Sequence, residues 1–144
     1  MVGYNTLSFK DKEGVVKEHT LYFGMQSVEE FSSRLSRYVT DNPFKLAVDL
    51  VYAGVANFRT KNDFPPIPYT EIYNFMEEFF DQDEEEFNKQ VSEAQNAFWE
   101  SKYGVQYREK INELKKKVEM EILEMEKKVQ NQQKSTTTNL EHME

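Results

Sequence analysis

The segment 43–58, PFKLAVDLVYAGVANF, constrains the fold more than any other stretch of this chain. Phe44, Ala47, Val48, Val51, Val55 and Phe58 recur at spacings of three and four, which lines them along one side of a helix. Leu46, Leu50 and Ala53 fill a second side, and only Lys45, Asp49, Gly54 and Asn57 are clearly non-apolar. A helix that is apolar around most of its circumference has to be covered on several sides. The segment is too short, and with Lys45 and Asp49 too polar, to span a bilayer. The sequence therefore predicts the central helix of a small domain, with Asp41 or Asn42 capping its first turn and Pro43 at the first helical position.

The flanking residues supply what covers it. Residues 4–23 alternate as a β-hairpin around the polar turn Asp11-Lys-Glu-Gly14, in which the glycine is free to take positive φ. A two-stranded hairpin is marginal alone, so one of its faces is expected to rest on helices. Ser27-Val-Glu-Glu30 reads as a capping box opening a helix whose apolar stripe is Val28, Phe31, Leu35, Tyr38 and Val39. Three prolines within residues 65–68 make 59–69 a rigid, extended connector. Thr70 is expected to cap a third helix with Ile72, Phe75, Met76 and Phe79 facing inward and Phe80 as a further candidate for the core. A fourth helix, from about Glu84 to Lys102, carries Phe87, Val91, Ala94 and Phe98 on its stripe, with Trp99 at a rim. Gly104 marks a stop or bend.

The last segment differs in kind. Ile111, Leu114, Val118, Ile122, Met125 and Val129 follow one another at spacings of 3, 4, 4, 3 and 4, an 11-residue repeat rather than a heptad. The remaining faces are charged, so one narrow apolar stripe is left wanting a partner: another copy, a different protein, or the chain's own domain. Beyond Gln130 the sequence is polar and aperiodic and reads as a disordered tail. The predicted fold is thus mainly α with a small N-terminal β-hairpin (α+β). A compact hairpin-plus-helical domain of about four helices spans 1–103, a long amphipathic helix spans 104–130, and a tail spans 131–144.

Chemistry is sparse. The net charge of −8 argues against a nucleic-acid surface, which is expected to be basic. With no cysteine there is neither a disulfide framework nor a thiolate metal site. The N-terminal residues lack the apolar run of a signal peptide, and no segment has membrane-spanning length. Seven acids crowd residues 77–86, but the turn glycine of a calcium loop is replaced by Glu86. These acids read instead as helix-start residues opposing the dipole, with Asp81 or Asp83 as a cap. The two histidines, His19 and His142, fall in a strand and a tail, so neither a triad nor a zinc site is expected. The residues predict no enzyme, no cofactor and no metal.

One order of motifs does point somewhere. A hairpin ending in Leu21-Tyr-Phe-Gly24 is followed by Val28-Glu-Glu-Phe31 and then by the core helix with Tyr52-Ala-Gly54. Tyr69-Thr-Glu-Ile-Tyr-Asn-Phe-Met76 and an acidic stretch lead into a last domain helix. Over a little more than half its length, the chain resembles the tail assembly chaperones of long-tailed phages and prophages. The resemblance implies a non-enzymatic, mostly helical protein that binds and solubilises the tape measure protein and helps recruit tail tube subunits. It also implies action in the cytoplasm of the bacterial host and absence from the mature virion. The stripe from Ile111 to Val129 lies outside the matched region and is the candidate partner surface. Two other readings remain at this stage. One is a homo-oligomeric scaffold or adaptor joined through the C-terminal helix. The other is a regulator that meets a basic partner, or mimics DNA, through residues 77–86.

Overall fold

In the computed structural model, residues 4–37 and 42–143 are described, the side chains of 36, 37 and 132–143 excepted. Tyr38 and Val39 of the first helical stripe, and Asp41 as an alternative cap, lie outside them.

Strands β1 (Tyr4–Lys10) and β2 (Val16–Tyr22) pair antiparallel, in register from Tyr4 opposite Tyr22 to Lys10 opposite Val16. Their turn is held by Asp11, whose carboxylate accepts from the Glu13 and Val15 amides at 3.0 and 2.9 Å. Gly14 sits at φ +81°, where a side chain would be strained. Leu7, Phe9 and Leu21 are buried, and the Phe9 ring stacks on Phe79 with centroids 4.9 Å apart. This is the helical support that the hairpin requires.

Five helices follow: α1 (Met25–Arg37), α2 (Pro43–Lys61), α3 (Tyr69–Gln82), α4 (Glu84–Glu100) and α5 (Lys102–Met143). Helix α2 is the centre, burying nine residues from Ala47 to Asn57. Around it the largest fully buried side chains include Leu7, Leu21, Ile72, Met76, Phe79 and Phe98. Asn42 caps α2, accepting from the Phe44 amide at 3.0 Å, and Pro43 occupies the first turn. Asp83 caps α4, accepting from the Glu86 amide at 3.1 Å, with Glu84, Glu85 and Glu86 in the first turn as dipole electrostatics favour.

The structure corrects three local expectations. Ser27 opens no capping box: α1 begins two residues earlier, at Met25, and Ser27 is fully buried. Its hydroxyl donates to the Gly24 carbonyl at 2.7 Å. The free amides of Gly24 and Ser27 donate instead to the side-chain oxygen of Asn57 on α2, at 2.9 and 3.0 Å. The acceptor that a local cap would supply thus comes from the central helix. Thr70 caps nothing either: α3 starts at Tyr69 behind Pro68, whose fixed φ of −65° sets the approach to the helix without a side-chain bond. Phe44, grouped with the core stripe of α2, is 51% exposed at the first turn of the helix, and its ring packs edge-on with Phe80.

The chain divides into two units, Met1–Tyr107 and Arg108–Glu144. The first keeps the root of α5. Gly104 is buried so close to the last turn of α4 that a Cβ there would overlap the Phe98 carbonyl, and Tyr107 stacks on half-buried Trp99 at 6.0 Å and 9°. In the second unit the backbone is helical through to Met143, so Gln130 is not an element boundary. Once a helix is nucleated, each further residue adds a bond for one pair of dihedrals, and polar composition alone does not end it.

Candidate partner-binding site

The predicted stripe is intact on α5. Ile111 is partly exposed, and Leu114, Val118, Ile122, Met125 and Val129 are each about half exposed or more, from 48% at Ile122 to 66% at Met125. Among the described residues, none of the six is buried. Met120 and Leu123 are exposed too, off the stripe, which widens the apolar surface midway along the helix. Periodicity passed over both because neither fits the 11-residue spacing.

The first unit carries a second apolar surface that sequence reasoning did not localise. Phe44 and Val48 of α2, Tyr73, Met76 and Phe80 of α3 and Phe87 of α4 line a cleft of about 110 Å³, with Glu77 on its wall. Phe44 and Tyr73 stand half exposed at its mouth. Its floor is firm, since Phe80 packs edge-on against both Phe44 and Phe87. The available signal was that α3 continues its aromatic residues from Phe79, which is fully buried, to Phe80, which is only partly buried against the core.

Beside the cleft sits a polar cluster that ties three helices together. Asp49 of α2 is 1% exposed and accepts from the Tyr69 hydroxyl at 2.7 Å and from the Lys45 ammonium at 3.0 Å. Burial, and then the bond to Asp49, push the Tyr69 phenol well above its ordinary range, so it stays a donor. The Arg34 guanidinium of α1 lies between the rings of Tyr52 and Tyr69, at 4.4 and 4.2 Å. The buried charge of Asp49 is tolerated because it is paired with Lys45 and hydrogen-bonded to Tyr69. The cluster also explains part of the Tyr52-Ala-Gly54 motif. Tyr52 meets Arg34, while Gly54 lets β2 approach until a Cβ would fall 2.8 Å from Leu21.

The acidic run is occupied structurally. Glu78 pairs with Lys17 of β2 at 2.8 Å, Asp83 caps α4, and Glu86 accepts from Gln90 at 3.0 Å. Among the described residues, no group of three His, Cys, Asp or Glu is placed to hold a metal. His19 lies edge-on against Phe75 at 4.6 Å, and burial lowers its pKa. No described helix is long and apolar enough to cross a membrane.

No known family is matched. Neither a family model nor a curated protein nor a solved structure matches this chain.

Proposed function

We propose that this protein is a non-enzymatic phage tail assembly chaperone that binds and solubilises the tape measure protein through α5 and helps recruit tail tube subunits. The observation that carries the reading is the exposed stripe from Ile111 to Val129. An apolar row at helical spacing on an otherwise charged helix recognises another amphipathic helix through i, i+3, i+4 and i+7 anchors. A tape measure protein, with its long apolar helices, is a client of that chemistry. The order of motifs in residues 20–100 supports the same family, and the cytoplasm of the infected host is the compartment it implies.

The test is co-expression with tape measure fragments, followed by pull-down and light scattering of the eluate. A soluble complex with several copies per fragment is expected. Replacing both Leu114 and Ile122 with Asp abolishes capture while the circular dichroism of the domain stays unchanged, since both side chains are about half exposed. Capture that survives this double change removes the stripe from the site. Failure of the wild type to bind, with a stable self-oligomer in its place, replaces this reading with that of a homo-oligomeric scaffold.

A further inference from the structure

From Ile111 to Met125 the stripe of α5 reads the same from either end. Its spacings there are 3, 4, 4 and 3, so Leu114 and Ile122 lie four residues on either side of Val118, and Ile111 and Met125 seven. Two such helices laid antiparallel about a two-fold axis at Val118 match every apolar residue of the segment. Val118 would meet its own copy, Leu114 would meet Ile122, and Ile111 would meet Met125. All of them belong to the second unit, and none is buried. The flanking charges choose the orientation. Lys115 and Glu119 edge an open groove along Ile111, Leu114 and Val118. At 3.6 residues per turn, Lys117 and Glu121 edge the stripe on its other side. In a parallel pair each edge faces the opposite edge of the copy at the same height, which sets Lys115 against Lys117 and Glu119 against Glu121. In an antiparallel pair each edge faces the same edge of the copy in reversed order. Lys115 then faces Glu119, Lys117 faces Glu121 and Arg108 faces Glu126, each twice. One like-charge approach remains, Lys110 with Lys128 near the ends of the overlap, and Lys110 has Glu113 beside it at 3.8 Å.

We propose that, in the absence of a client, α5 of one copy pairs antiparallel with α5 of a second copy about Val118, over residues 108–128. The paired segment lies wholly within the second unit and runs for about 30 Å at 1.5 Å per residue. The two-fold closes the pair, so association stops at a dimer. With an entirely apolar seam, nothing in the row itself fixes orientation, and the charged edges do so instead. A client that takes the same stripe displaces the partner copy, which makes the dimer a sheathed form of the binding surface. The pairing rests on the stripe alone and holds whatever the client is.

Sedimentation equilibrium of the purified full chain, with no other protein present, is expected to give twice the chain mass. Val118→Asp, at the axis, should weaken association about ten-fold or more. Lys115→Glu should weaken it about three-fold or more, since the contact with Glu119 occurs twice; in a parallel pair the same change relieves the clash with Lys117 and tightens association. Orientation is read directly by cross-linking, because the chain has no cysteine of its own. On oxidation, Leu114→Cys mixed with Ile122→Cys should give a disulfide-linked dimer. Leu114→Cys alone should not, because its two copies stand about 12 Å apart along the axis, beyond the reach of a disulfide. A wild type that is monomeric at every concentration overturns the proposal. So does a dimer that links through Leu114→Cys alone, which is parallel, or one indifferent to Val118→Asp, which is joined elsewhere. An antiparallel dimer that yields to no tape measure fragment upholds this inference and removes the chaperone reading. Capture of fragments by a chain that is monomeric without them does the reverse.

Discussion

Gly54 offers a test in which the sign of the effect is diagnostic. In the interior of a helix, Gly→Ala ordinarily stabilises by about 1 kcal/mol, because the glycine loses more backbone freedom on folding. At Gly54 of α2 the added Cβ would stand 2.8 Å from the Cβ of Leu21 and 2.9 Å from its Cγ and Cδ2. Leu21 is 0% exposed, and its Cβ is tied to a strand paired with β1, so it has nowhere to retreat. Overpacking of this kind costs about 1–3 kcal/mol. With Leu21 held in place the steric cost exceeds the helix-propensity gain, and Gly54→Ala is expected to destabilise by up to about 2 kcal/mol. Urea denaturation followed by far-UV circular dichroism should show a lower midpoint with an unchanged slope. A double-mutant cycle with Leu21→Ala should reveal a favourable coupling of about 1 kcal/mol, because the methyl added at Gly54 occupies space vacated by leucine. A raised midpoint for Gly54→Ala, or strict additivity with Leu21→Ala, refutes the close packing of α2 on β2.

Two further predictions concern groups that hold the domain together. Asn57→Ala deprives the Gly24 and Ser27 amides of their acceptor and should cost about 2–6 kcal/mol, at 1–3 kcal/mol per buried orphan donor, with faster hydrogen exchange at the start of α1; unchanged exchange there rejects the cap. His19 has a pKa lowered by burial below its ordinary 6.5, so the unfolded chain takes up its proton first as pH falls. Its contribution is therefore complete above about pH 6.5 and is lost as pH drops through that value towards the lower folded pKa. The urea midpoint of the wild type should fall between pH 7.5 and pH 6 by more than that of His19→Asn, and equal falls would exclude the effect.

The legible parts of this chain were those set by local pattern. The alternation in residues 4–23, the Asp11–Gly14 turn, the spacing through α2 and the caps at Asn42 and Asp83 each involve residues close in sequence, and each stands in the structure where the pattern places it. Readings failed where a distant residue decides. Ser27 has the spelling of a capping box, but Asn57, thirty residues on, takes its amide. Asp49 and Asn57 look like breaks in an apolar helix, yet both are buried because partners on α3 and ahead of α1 satisfy them. The stripe of α5 was readable from periodicity alone. The cleft was not, because it is assembled from residues of three helices, and Phe44, which the spacing assigns to the core, is 51% exposed at the start of α2.

The carboxamide of Gln90 on α4 accepts from the Ser8 amide at 2.9 Å and donates to the Ser8 carbonyl at 3.1 Å. A primary amide presents the same donor and acceptor as a peptide group, so this side chain acts as a one-residue third strand on the free margin of β1. An unsheathed strand margin is a template on which foreign extended chains grow. With Gln90 seated there, β1 offers its backbone at Ser8 to the protein's own helix and to no passing segment. On the chaperone function proposed above, this seat withholds a place where a client could stack as sheet, and leaves helical uptake through side chains as the route.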